Sequence, residues 1–158
     1  MIFFYILIIK QMLTIYTDGA CKGNPGKGGW GYVLIHENNI IKKNNGSDKF
    51  TTNNKMELTA AIKALECIDT INIETFNSII IHIDSMYVLK GINEWINKWR
   101  INNWKDSKKN PVKNIELWKQ LDLLNIKYKK KLEWKWVKGH SNNYYNDFVD
   151  KLANDAIL

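Results

Sequence analysis

Apolar positions along the chain alternate between two periods. Leu13 to Thr17 is a short apolar run that reads as a strand and leads into Asp18 and a glycine-dense loop, "YTDGACKGNPGKGGWG". Gly29–His36 and Asn39–Asn44 read as two more strands, turned at Glu37 and Asn38. Thr51 to Asn54 supplies cap-type residues before "KMELTAAIKALECI". There Met56, Ala60, Ala64 and Cys67 share one helical face, with Leu58, Ile62 and Leu65 beside it. "SIIIHID", Ser78 to Asp84, is continuously apolar, as expected of a strand covered on both faces. Helical patterns follow over Ser85–Trp99 and, after Pro111, over Val112–Leu124. Lys131–Val137 alternates, with Leu132, Trp134 and Trp136 on one face and Glu133 and Lys135 on the other. A final helix spans about Asn143 to Ala156.

The order is three strands, a helix, a strand, further helices, a strand and a helix. Three consecutive strands predict an antiparallel meander, and the later two, each reached across helices, predict parallel additions to the same sheet. The expected fold class is α/β, a five-stranded mixed sheet flanked by helices. A chain of 158 residues, 45% hydrophobic and 25% charged, suits one globular domain with one core.

The first twelve residues, "MIFFYILIIKQM", form an apolar extension. Its run Ile2–Ile9 is too short for a span of about 20 residues. It lacks a basic start and a small-residue cleavage site, so the pattern speaks against a secretory signal. An extra edge-strand segment and an upstream start codon, with Met12 as the alternative, are both compatible with it. The rest, 13–158, reads as the functional domain. Cys21 and Cys67 lack zinc-site spacing and are too few for a disulfide framework, which points to reduced thiols in a cytoplasmic protein.

Charge changes the picture. The formal net charge is +7, and +5 of it lies between Trp95 and Lys113, on Lys98, Arg100, Lys105, Lys108, Lys109 and Lys113 against Asp106. Such a run is commonly a solvated face, but its interleaving with Trp95, Trp99 and Trp104 favours a nucleic acid. The three tryptophans fit a core stripe equally well.

Four acids bear on the chemistry. Asp18 and Asp84 end apolar strands. If those strands are central and parallel, their carboxyl ends share the edge where α/β sheets bind ligands. Glu57 falls in the first turn of the first long helix and Asp150 on the last, in "NDFVDKLA". Taken singly, a first-turn Glu serves the helix dipole and a helix Asp is solvated. Taken together they would repel, since two unit charges about 4 Å apart cost roughly 4 kcal/mol at an effective dielectric of 20. Carboxylates without His or Cys partners suit a hard cation such as Mg²⁺ or Mn²⁺.

The set "YTDGACKGNPGKGGWG", "TTNNKMELTAAIKALE", "IDSMYVLKGINEWINKW", "KKNPVKN", "WKWVKGHS" and "NDFVDKLA" resembles ribonuclease HI of the bacterial type, from about residue 13 to the end. The resemblance implies an RNase H-like fold with a basic protrusion at about 92–113. It implies two-metal hydrolysis of the RNA strand of RNA–DNA hybrids by a monomeric endonuclease, giving 5′-phosphate and 3′-hydroxyl ends. Asp18, Glu57, Asp84 and Asp150 match the family's metal-binding acids, and His140 its mobile-loop histidine. Asn24, Asn53 and Glu57 match contacts to RNA 2′-hydroxyls or nearby groups, and Cys21 and Asn54 belong to the same nucleic-acid-facing segments. Thr52 and Asn114 match a phosphate site for the DNA strand. Trp95, Trp99, Trp104 and Lys113 match the protrusion. Asn53 and Asn54 also read as plain helix caps. Lys55 stands where many relatives carry arginine. The loop "HSNNYYND" keeps the His-to-Asp spacing without the more usual glycine or proline, which bears on loop mobility and turnover.

Overall fold

The structure, a computed structural model, describes residues 11–157. Most of the apolar extension at 1–12 lies outside the described residues, and Met12 opens the first strand. The elements are β1 (Met12–Lys22), β2 (Gly26–His36), β3 (Asn39–Thr51), α1 (Asn53–Ile68), β4 (Ser78–Ile83) and α2 (Met86–Lys90). A π-helical turn, Gly91–Trp95, joins α2 to α3 (Ile96–Ile101). Then come α4 (Ile115–Tyr128), β5 (Leu132–Trp136) and α5 (Tyr144–Asp155).

The sheet order is β3-β2-β1-β4-β5. β2 is antiparallel to both β1 and β3, while β4 is parallel to β1 and β5 to β4. This is the five-stranded mixed sheet that the hydrophobic pattern predicts. One face carries the main core: Leu13, Ile15, Ile79, Ile81 and Ile83 pack against Leu58, Ala61, Leu65 and Ile68 of α1 and Trp118 and Leu121 of α4. On α5, Val149 packs with Tyr16, Val33 and Ile35 in a separate, smaller cluster.

Three boundaries differ from the sequence reading. β1 does not end at Asp18; it pairs with β2 as far as Lys22, with Asp18 opposite Gly31. β2 starts at Gly26 rather than Gly29, so Gly28, read as loop, is a ladder position opposite Cys21 where a side chain would strike Thr51 and Met56. β3 runs on to Thr51 as an edge strand. Its polar positions beyond Asn44 carry no alternation, so periodicity found only the first half. The helix expected over Ser85–Trp99 is broken by the π turn.

The first residue of that turn is fixed by packing. A side chain on Gly91 would collide with the Trp118 ring, which lies against its backbone. Glycine there lets the indole fill the angle between the turn and α4. Gly91→Ala is therefore expected to cost about 1–3 kcal/mol through overpacking. Urea unfolding monitored by tryptophan fluorescence reads this directly, and an unchanged midpoint would contradict the packing.

Candidate active site

β1 and β4 are neighbouring parallel strands, so Asp18 and Asp84 come to one edge of the sheet. Asp84 follows the last residue of β4, and Ser85 then caps α2 by accepting from the Val88 N–H. Glu57 arrives from α1. Thr52 caps that helix by accepting from the Lys55 N–H at 3.3 Å, which puts Glu57 at the start of the second turn rather than the first. Gly19 is what lets α1 come close: a Cβ there would strike the backbone of Met56 and Glu57. One carboxylate oxygen each of Asp18, Glu57 and Asp84 lies within 4.8 Å of the others. Asp150 of α5 lines the same cavity of about 400 Å³, with His140, Asn53, Asn54 and Tyr87, but is not a member of that close trio.

The electrostatics are those of crowded, desolvated acids. Asp18 is 5% exposed and Glu57 4%. Burial, with the charge of Asp84 next, raises the Asp18 pKa to about 8. Burial and the charge of Asp18 push Glu57 well above the ordinary carboxylate range. Burial raises Asp84 too, opposed by a hydrogen bond from Asn146 and by the charge of His140. Glu57 Oε2 is buried without a hydrogen-bond partner among the described residues. Among the described residues, the Asp18 Oδ1 accepts only from its neighbour, the Gly19 N–H, at 2.9 Å. Acceptor-only oxygens that converge with so few donors fit a divalent cation, since two positive charges would replace the missing donors and offset the repulsion.

The other sequence-predicted residues fall in three places. At the glycine loop, Cys21 Sγ donates to Gly23 O at 3.1 Å, and Asn24 Oδ1 accepts from the Asn53 N–H at 3.1 Å, tying the loop to the start of α1. Trp95, Trp99 and Trp104 are half-buried and form a continuous aromatic group, with centroids 5.9 Å and 6.1 Å apart in sequence order. Trp99 meets the buried Trp118 at 5.2 Å, so both the core stripe and the protrusion describe them. Lys113 is exposed, and Asn114 precedes α4 in a left-handed conformation, φ 59°.

One base and one acid of the protrusion are not free charges. Arg100 Nε donates to Asp122 Oδ2 at 2.9 Å, and its Nη2 also binds Asp122, clamping α3 to α4. Asp106 accepts from the N–H groups of Lys108 and Asn110, both at 2.9 Å, and so shapes the loop that displays the lysines. Sequence reading missed Asn146. It is 2% exposed, one helical turn before Asp150, and the spacing of four was the available signal.

A mixed sheet of this order, with acids gathered where the pairing of two adjacent parallel strands ends, is that of a metal-dependent phosphodiester hydrolase. The RNase H family model matches residues 10–158. Ribonuclease H of Dichelobacter nodosus (strain VCS1703A) is 51% identical over 146 residues, covering 92% of each chain. Among solved structures, LC9-RNase H1, described as a type 1 RNase H with the type 2 active-site motif, superposes with a TM-score of 0.78 at 26% identity, over 94% of this chain and 72% of that one. LC11-RNase H1 in complex with an RNA/DNA hybrid gives a TM-score of 0.71 at 24% identity, over 92% of this chain and 96% of that one. The chain belongs to the RNase H family, and is thus a metal-dependent endoribonuclease.

The raised pKa values set the pH dependence of the metal-free fold. An acid whose pKa is higher folded than unfolded binds more protons in the folded state between the two values, so stability falls as pH rises through that window. For Asp18 the window runs from 3.8 to about 8. In EDTA the melting temperature is expected to fall from pH 5 to pH 8. Asp18→Asn is expected to abolish cleavage while stabilising the metal-free fold at pH 8 by about 1–3 kcal/mol. Melting curves at both pH values test this; a large drop for the variant would contradict the clustered acids.

Proposed function

We propose that the chain hydrolyses the RNA strand of RNA–DNA hybrids endonucleolytically, leaving 5′-phosphate and 3′-hydroxyl ends, with Mg²⁺ as cofactor and Mn²⁺ able to substitute. The observation that carries this reading is the convergence of Asp18, Glu57 and Asp84 within 4.8 Å, with Asp150 on the same cavity. A module that only binds phosphates gains nothing from such a cluster.

Asp18, Glu57, Asp84 and Asp150 would hold two ions. Bound there, the ions would supply an activated water and stabilise the departing oxygen. The in-line attack forms a new P–O bond as the P–O3′ bond breaks, and the 3′-oxygen takes up a proton. His140 is exposed at the rim, close enough to Asp84 for its charge to favour the carboxylate, which suits it to proton transfer and product release. Asn146 lies near Asp84 on the α5 side and opposes the rise of its pKa.

Hybrid recognition is assigned to two surfaces. Cys21, Asn24, Asn53, Asn54 and Glu57 face the RNA strand, whose 2′-hydroxyls distinguish it from DNA. Thr52 and Asn114 hold a DNA-strand phosphate; Asn114 and Lys55 line one recess with the first turn of α4. Trp95, Trp99, Trp104 and Lys113 belong to the protrusion at about 92–113, within a catalytic domain at 13–158. The enzyme is read as monomeric and cytoplasmic. Both cysteines are free, in keeping with a reducing compartment, and among the described residues no helix is long and apolar enough to cross a membrane.

End-labelled RNA–DNA, RNA–RNA and DNA–DNA duplexes with Mg²⁺ test the reading. Cutting is expected only in the RNA strand of the hybrid, and an intact hybrid RNA would overturn it. Joint replacement of Lys105, Lys108 and Lys109 by alanine is expected to weaken hybrid binding. The slope of log affinity against log salt should become shallower by up to about 0.9 for each lysine that contacts phosphate. An unchanged slope would remove the protrusion from the interface.

A further inference from the structure

We propose that Tyr87 is a positioning residue that decides which end of the Asn114 amide meets the hybrid. The inference rests on the reading of Asn114 as a phosphate ligand. Tyr87 stands between two regions, lining the acid cavity while its ring packs against Trp95 at 5.7 Å and Trp118 at 5.3 Å. Its hydroxyl oxygen accepts from Trp118 Nε1 at 3.0 Å and from Asn114 Nδ2 at 3.0 Å.

Donor and acceptor types restrict what this network can do. An indole N–H can only donate, so the Tyr87 oxygen must accept from Trp118 whenever that bond exists. The phenol proton is then left to give. With the Asn114 nitrogen also directed at Tyr87, that proton has no acceptor in the network, and the amide nitrogen is spent inward. The two ends of a primary amide are nearly the same size, so the group can reverse about its last side-chain torsion without repacking. Reversed, Asn114 Oδ1 accepts the phenol proton, and the amide NH₂ turns outward.

An anion selects between the two states. A phosphate beside Asn114 favours N–H donors and is repelled by an outward carbonyl oxygen. In the reversed state Trp118 donates to Tyr87, Tyr87 to Asn114 and Asn114 to the phosphate, so every donor has an acceptor and all point one way. Asn114 is suited to this because its backbone is fixed: it is held in the left-handed region at φ 59°, and its carbonyl already accepts from the Trp118 N–H at 3.0 Å. Only the side-chain amide is left to respond. The aromatic group that ends at Trp104 thus shares an anchor, Trp118, with the residue that reads the phosphate.

Tyr87→Phe keeps the ring and removes only the hydroxyl. On the hybrid it is expected to raise KM about three- to tenfold, the effect of one hydrogen bond, with kcat within about a factor of two. Asn114→Ala is expected to raise KM at least as much, and the double variant no more than Asn114→Ala alone, because the two act through one contact. A scan of single methylphosphonate linkages along the DNA strand adds a readout that loosened packing would not produce. One position should raise KM for the wild type and lose most of that effect in Tyr87→Phe. An unchanged KM, a fall in kcat alone, additive losses in the double variant or an unaltered methylphosphonate profile would each overturn the proposal. Failure of the wild type to cut hybrid RNA would instead reject the functional reading itself.

Discussion

Mutual repulsion among buried carboxylates is the constraint on which this structure turns. Asp18 and Glu57 are nearly inaccessible, and neither has a positively charged protein partner within the trio. Such an arrangement persists only because elements around it are held by other forces. β1 is paired on both sides, with β2 and β4, so Asp18 cannot drift away from Asp84. α1 buries Leu58, Ala61, Ile62, Leu65 and Ile68 on the sheet, so Glu57 cannot swing outward without exposing that face. The apolar core thereby maintains a charge distribution that would not assemble on its own, and divalent ions bound there would convert the same strain into affinity.

Much of this was legible in the chain. The meander, the buried strand at Ser78–Ile83 and the amphipathic α1 follow from period and length. Their order gave the antiparallel and parallel halves of the sheet. The four acids stood out as a set only through the surrounding motifs, because each alone has an ordinary surface explanation. Periodicity failed where glycine or edge position removes the signal. Gly28 is a strand residue whose missing side chain leaves room for Met56 of α1, and local composition reads it as loop. The π turn left no local signature, and the packing of the distant Trp118 ring on Gly91 belongs to no sequence period.

The protrusion shows the same limit. Sequence counts six bases there, but Arg100 is engaged by Asp122 from a helix one element later. Which charges remain available to a polyanion depends on pairing across α3 and α4, and no local pattern records that. Conversely, Asp106 looks like a dilution of positive charge and is instead the acceptor that organises the lysine loop.

The two faces of the sheet are unequally secured. α1 and α4 share the large core, whereas the cluster around α5 contains few fully buried side chains, Val149 and Ala153 among them on the helix itself. Yet α5 contributes Asp150 to the cavity and carries Asn146, which lowers the pKa of Asp84 against its burial. A helix resting on a small contact can detach by itself in a sub-global opening. Heat would then silence the enzyme before the sheet melts, and cooling would restore it, so reversible loss of turnover would precede loss of the native far-ultraviolet spectrum.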